Sequence, residues 1–236
     1  MKALVTGSTQ GIGLAIARAL VNEGHEVTVH CSGDIEKARR VAKEIGASGA
    51  VVADLGKMDE VDALPEKTGG VDILILNASV QFRNPYHSIT DEELDTQVNV
   101  NFKSTFKLIK AYSPWMKEKG FGRIITIGSV QQYKPHPDMA IYAATKCAVM
   151  SLVTNLAKQL APFGITVNNI APGVIATPRN DAALSDPVYS KKVLAGIPMG
   201  FAGESEDIAG SVLLLVGEGG RYITGTDIIV DGGMKL

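Results

Sequence analysis

Short apolar runs rich in β-branched residues recur along this chain, and each gives way to a longer stretch whose apolar positions return at helical spacing. Brief apolar runs bounded by turn formers predict buried strands, and apolar residues repeating every three to four positions predict amphipathic helices. Strands are therefore expected at residues 2–5, 26–30, 50–53, 73–76, 123–128, 166–170 and 227–230, with helices at 13–22, 35–45, 91–119, 141–162 and 205–216. Asp34, Asp91 and Ser205 read as helix starts, and Glu206 and Asp207 place negative charge in the last helix's first turn, where free amides favour it. Most of the strand runs are too apolar to leave one face in water. The alternation predicts βαβ units in an α/β fold, a doubly wound sheet of seven parallel strands flanked by helices.

No internal repeat or Pro/Gly-rich linker divides the chain, and 236 residues fall within the size that α/β folds reach as one unit. A single domain over residues 1–236 is expected, with one irregular part. Between 178 and 201, Pro178, Pro187 and Pro198 interrupt weakly helical segments, which reads as a substrate lid.

Bulk chemistry narrows the partners. Lys and Arg number 23 against 25 Asp and Glu, a net charge of −2 with no basic cluster, so no nucleic-acid partner is expected. Cys31 and Cys147 show neither CxxC nor zinc-ligand spacing and read as buried, inert thiols of an intracellular protein. His25, His30, His87 and His136 are scattered, which predicts ordinary surface or loop residues and no metal site. Met1-Lys2 leads directly into the first strand, and no apolar run reads as long enough to span a bilayer, so a cytoplasmic protein without a membrane partner is expected.

Two patterns carry candidate chemistry. Thr6–Gly13, with glycines at 7, 11 and 13, lies between the first strand and the first helix, where a backbone must turn tightly and where helix-terminal amides can hold a pyrophosphate. Tyr142 and Lys146 stand four residues apart on one face of a predicted helix, with Ser129 thirteen residues before the tyrosine. A tyrosine ionises near pH ~10. A neighbouring ammonium is one of the few ways to bring its phenolate within reach.

Together these patterns resemble one family, the short-chain dehydrogenases/reductases. Thr6–Gly13 is similar to that family's TGxxxGIG turn, and Ser129, Tyr142, Lys146 and Asn101 match its serine, YxxxK and asparagine positions. Asp54-Leu55, Asn77-Ala78, Pro172-Gly173 with Thr177, and Asp231-Gly232-Gly233 match further motifs in order, so the resemblance covers essentially the whole chain and implies a Rossmann-type fold. It implies Tyr142 as general acid or base, Ser129 as its partner on the substrate oxygen, Lys146 as its tuner and a grip on the nicotinamide ribose, and Asn101 as holder of a proton-relay water through a helix kink. It further implies Gly7, Ser8, Gly11, Ile12 and Gly13 at the pyrophosphate, Asp54 and Leu55 at the adenine, Asn77 at the riboses, and Ile175 and Thr177 at the carboxamide. The family's NNAG is here Leu76-Asn77-Ala78-Ser79, which lacks the first Asn and the closing Gly.

NADP(H) is favoured over NAD(H). The strand-end position where NAD users carry an acid falls on Cys31, and Ser32 and His30 can donate hydrogen bonds there; Gln10, however, stands where many NADP-preferring relatives carry a base. The expected reaction interconverts a carbonyl and a secondary alcohol. Gln131 and Gln132 beside Ser129, with Gln81 and Arg83 after the fourth strand, suggest a polar pocket for a small ketone, sugar, sugar acid or polyol. Gly122–Ser129 and Tyr222–Gly225 resemble the corresponding stretches of bacterial 3-oxoacyl-carrier-protein reductases, which gives the alternative reading. The two basic positions that dock a carrier protein in such enzymes fall on Gly120 and Phe163, with Lys117, Lys119 and Arg123 as substitutes nearby. A non-catalytic dinucleotide sensor or scaffold is the alternative of another class. The resemblance also implies a homo-oligomer, a tetramer joined through helices 91–119 and 141–162, for which Ala144, Cys147, Ala148 and Ser151 supply small residues.

Overall fold

The computed structural model describes residues 1–236 and places seven parallel strands in the order β3-β2-β1-β4-β5-β6-β7. In chain order the strands are β1 Lys2–Val5, β2 Glu26–Cys31, β3 Gly49–Val52, β4 Ile73–Leu76, β5 Gly122–Ile127, β6 Ile165–Pro172 and β7 Asp227–Val230. The helices are α1 Gly11–Asn22, α2 Ile35–Ile45, α3 Met58–Thr68, α4 Asp91–Val98, α5 Ser104–Lys119, α6 Ala140–Leu160, α7 Asp181–Ser185, α8 Pro187–Leu194 and α9 Ser205–Val216. The expected seven-stranded, doubly wound sheet is what forms.

Both faces of the sheet are covered, and the two-residue period of a strand divides its side chains between two cores. Ala3, Val5, Val29, Ile75 and Ile127 join α1, α2 and α9 on one side. Leu4, Leu74, Ile124 and Val167 join α3, α5 and α6 on the other. Such strands read as unbroken apolar runs, and for the same reason their ends shift by a residue or two from the expected bounds.

Local chemistry sets the helix ends. Asp34 accepts from the Lys37 amide at 2.9 Å to start α2, and Gly46, left-handed at φ 74°, ends it. Thr90 and Glu93 form a reciprocal capping box ahead of α4. The single helix expected at 91–119 is divided by a π turn at Asn99–Lys103, the kink the family resemblance implies. Helix α3 was not anticipated, because only Val61 and Leu64 of its residues are buried and Pro65 lies inside it.

The stretch Pro137–Phe163 is long and apolar enough, by length and composition, to cross a membrane, contrary to the expectation that no run reaches that length. In this fold it seats Val149, Val153, Ala157 and Leu160 in the core beneath the sheet. Strand order reverses between β1 and β4, which opens a crevice beyond the carboxyl ends of the strands.

Candidate active site

That crevice is a cleft of about 1300 Å³, walled by the glycine turn, the ends of β2, β3, β4, β5 and β6, and the segment carrying α7 and α8. Chain reversal between β1 and α1 requires left-handed backbone at Gly7 (φ 63°) and Gly11 (φ 53°). Gly13 is needed for a different reason, since a Cβ there would collide with the carbonyl oxygen of Gly7. The turn is anchored from beneath. Asn77 Nδ2 donates to the carbonyls of Thr6 and Gly7 at 2.9 and 3.0 Å, while Thr6 Oγ1 accepts from the amides of Asn77 and Ala78.

His30 is the second anchor. Its Nδ1 accepts from the Gly7 amide and its Nε2 donates to the Ala53 carbonyl, each at 3.0 Å, so one ring joins the glycine turn to the ends of β2 and β3. The expectation of a surface or loop histidine, free to donate to a cofactor, is corrected here: the ring is fully buried and both nitrogens are engaged. Burial holds it neutral, with its pKa pushed down to about 4. Ser8 is corrected with it. Its hydroxyl donates to the Val5 carbonyl at 2.7 Å and accepts from the His30 amide at 3.0 Å, and the buried side chain does not line the cleft. Thr9 and Gln10 line it instead, beside Gly7, Gly11, Ile12 and Gly13.

Further along, Ser32, Asp54, Leu55 and Asn77 all border the cleft as expected. Asp54 turns the chain after β3 by accepting from the Gly56 amide at 2.9 Å. A residue missed in the sequence stands here as well. Lys37, in the first turn of α2, donates from Nζ to Gln10 Oε1 at 3.1 Å and borders the cleft beside Cys31, Ser32 and Gly33. Its spacing from Asp34 was the available signal, because a capped helix start points its first turn at the strand end.

At the opposite end Ser129, Tyr142 and Lys146 share the wall, joined by Ile175 and Thr177. Lys146 Nζ donates to the Ile127 carbonyl at 2.7 Å and lies 5.5 Å from the centre of the Tyr142 ring. Burial, with a smaller contribution from the charge of Arg179, lowers the Lys146 pKa to about 7. Ser129 caps the short turn Val130–Gln132 by accepting from the Gln131 amide at 3.2 Å, and its hydroxyl proton remains free. Thr177 lies against Gly11 and so ties the reaction end to the pyrophosphate cradle. Asn101 is brought close but does not line the cleft. Its side chain holds the main chain of Val80 at both N–H and C=O, each at 2.9 Å, and donates to Thr145 Oγ1 at 3.2 Å, fastening the loop after β4 to α6.

Three further expectations need correction. Gln132 does not face the pocket: Oε1 accepts from the Ser129 amide and Nε2 donates to Asp227, so it braces β5 against β7, whereas Gln81, Arg83 and Gln131 do line the cleft. Cys147 is exposed, because the face of α6 opposite Tyr142 and Lys146 turns outward, whereas Cys31 is buried as expected. Arg123 is buried among main-chain carbonyls and Lys119 is paired with Asp72 at 2.7 Å, so neither replaces a free docking cation. The His25, His87 and His136 side chains lie apart, and no group of three or more potential metal ligands forms.

The glycine turn, with its excluded Cβ and the helix-terminal amides of α1, fits a dinucleotide pyrophosphate. A family model described as Enoyl-(Acyl carrier protein) reductase matches residues 7–235. The 3-oxoacyl-[acyl-carrier-protein] reductase FabG of Staphylococcus aureus is 38% identical over 242 residues, covering 99% of this chain and 98% of the relative. Among solved structures, a 3-oxoacyl (acyl-carrier-protein) reductase from Agrobacterium tumefaciens with NADP bound is similar at TM-score 0.93 and 34% identity, covering 98% of this chain and 93% of the other. A gluconate 5-dehydrogenase from Burkholderia cenocepacia in complex with NADP and tartrate is similar at TM-score 0.92 and 32% identity, covering 99% of this chain and 94% of the other.

Proposed function

We infer the activity of this chain, which belongs to the short-chain dehydrogenase/reductase family, to be NAD(P)(H)-dependent interconversion of a carbonyl and a secondary alcohol. The observation that carries the assignment of roles is the buried Lys146 ammonium against the Tyr142 ring, in the wall of a cleft whose far end is the glycine cradle. Tyr142 gives a proton to the carbonyl oxygen in reduction and takes it back in oxidation. Ser129 holds the same oxygen with its free hydroxyl proton. Lys146 stabilises the phenolate when charged, and protons reach it along the wall positioned by Asn101.

The nicotinamide group supplies or accepts hydride when bound. Gly7, Gly11, Ile12 and Gly13 would hold its pyrophosphate, Asp54 and Leu55 the adenine, Asn77 and Lys146 the riboses, and Ile175 and Thr177 the carboxamide. NADP(H) is the preferred form. Lys37 supports this, since it brings to the end of β2 the positive charge that Gln10 does not, and the two side chains already touch.

The substrate is a small polar ketone, sugar or polyol. Gln81, Arg83 and Gln131 in the lining support it, as does the similarity to a gluconate 5-dehydrogenase. The similarity to 3-oxoacyl-carrier-protein reductases favours a second reading, an oxoacyl thioester. Against it, Gly120 and the exposed Phe163 stand where the docking cations would be, and the Lys117 ammonium lies over the Phe163 ring at 4.7 Å. The working form is a cytoplasmic homotetramer. An apolar groove lined by Leu94 and Val98 of α4, Phe102 of the π turn, and Ile141, Ala144 and Ala148 of α6 supports self-association. An absorbance screen of NADPH and NADH consumption over oxoacyl thioesters, diketones, keto-sugars and steroids tests the reading. Turnover with keto-sugars and a preference for NADPH are expected, and thioester turnover alone would replace the first substrate class with the second.

A further inference from the structure

The cleft is electrically lopsided. Its acidic lining residues, Asp34 and Asp54, both lie at the adenosine end, whereas the reaction end presents Arg83, Lys134, His136, Arg179 and Lys192 with no carboxylate among the lining residues. None of Arg83, Arg179, Lys134 or Lys192 forms a salt bridge. Only His136 has a carboxylate near it, Asp138 at 3.9 Å from Nδ1, and the remaining uncompensated cations raise the local concentration of anions and orient them.

Arg83 stands at the centre of the cluster, where three segments meet. Its Nη2 donates to the hydroxyl of Tyr189 on α8 at 2.9 Å and lies 3.3 Å from His136 Nε2, in the loop before α6. His136 Nδ1 already accepts from the Asp138 amide at 3.1 Å, which places the proton of the neutral ring on Nε2. Two donors, Arg83 Nη2–H and His136 Nε2–H, therefore face each other without an acceptor between them. An anionic oxygen beside the pair accepts from both and removes the conflict. Tyr189 adds a hydroxyl whose proton is unclaimed, and Lys192 follows it by one helical turn on the cleft-facing side of α8. Across the cleft, Arg179 is held by Ser79 through Oγ and the carbonyl at 3.1 and 2.7 Å, and its charge is felt at Lys146.

We propose that the substrate of this oxidoreductase carries a carboxylate, bound by Arg83 together with His136, Tyr189 and Lys192, so that the physiological pair is an oxo acid and the matching hydroxy acid. The proposal rests on the carbonyl–alcohol reading above and narrows it. In reduction, two electrons and one hydrogen nucleus pass as hydride from the reduced cofactor to the carbonyl carbon, and the oxygen takes a proton from Tyr142. The carboxylate is unchanged by the step. A guanidinium presents its donors in a planar fork that matches a carboxylate edge, and α8 carries two of the partners, so the same contact closes the lid segment over the bound acid.

The test separates the anion site from turnover. In calorimetric titration of the NADP-loaded full chain, malonate should bind, with an affinity about tenfold lower in Arg83→Gln and partly restored in Arg83→Lys, and the difference should shrink in high salt. Absence of malonate binding, equal binding by Arg83→Gln, or tighter binding of inorganic phosphate than of malonate would overturn the carboxylate assignment. In a parallel assay, kcat/KM for acetoacetate should exceed that for its neutral methyl ester by about tenfold, the size expected of one partly screened charge contact. A ratio of one, with both compounds reduced, would remove the proposal and leave the reductase reading standing. Malonate binding that depends on Arg83, in a protein that reduces no carbonyl compound, would keep the anion site and remove the reductase reading.

Discussion

The two ends of the cleft are built in opposite ways. At the dinucleotide end, Thr6, His30 and Asn77 lie in or against the sheet and spend their hydrogen bonds on the glycine turn itself. At the substrate end, Arg83, Arg179 and Lys192 are exposed and are carried by loops and by α8, with no salt-bridge partner. The first end is fixed by the same core that fixes the fold, and substitutions there cost stability and cofactor binding together. The second stands outside the core, so its residues can change specificity without unfolding the chain.

The largest break in that contrast is expected from Gly13→Ala. A methyl group driven into the Gly7 carbonyl forces the turn apart, so NADP binding should fall by at least about a hundredfold and the melting temperature with it, read by fluorescence titration and thermal melts. An unchanged affinity would mean that the turn is not the cradle.

A smaller effect is expected from acid. His30 has a folded pKa of about 4, below the ordinary 6.5 of the unfolded chain, so between these values the unfolded state binds more protons. Stability from the neutral ring is full above pH 6.5 and is lost as pH falls toward 4, by about 3 kcal/mol over the window. Wild type and His30→Leu, melted across this range, should differ in slope, with the variant less stable at neutral pH but less sensitive to acid. Parallel slopes would detach the histidine from the turn.

The smallest is expected from Lys37→Ala. Removal of this half-buried cation should lower the NADPH-to-NADH ratio of kcat/KM about tenfold and leave stability within about 0.5 kcal/mol. A ratio that does not move would place 2′-phosphate recognition elsewhere.

The same contrast explains what was legible in the sequence. Glycines at fixed offsets, an i, i+4 Tyr–Lys pair and unbroken apolar strands are local patterns, and the fold reproduces them because the core enforces them. His30 was misread because a histidine inside an apolar strand looks like any isolated polar residue until the ends of β1 and β3 are brought against it. Lys37 and Arg83 take their meaning from segments distant in the chain, Gln10 for one and Tyr189 and His136 for the other. Cys147 was misread because the exposed face of α6 opens with Ala140, Ala144 and Cys147, residues as apolar as its buried side. Helix α3 escaped notice because so few of its side chains reach the core.

The most direct test of the chemistry is Tyr142→Phe, with NADPH affinity and NADPH-dependent ketone reduction measured on the same preparation. Removing one hydroxyl from a buried ring should leave affinity within about twofold and cut kcat by about a thousandfold or more. Turnover at the wild-type rate in that variant would contradict Tyr142 as the proton donor.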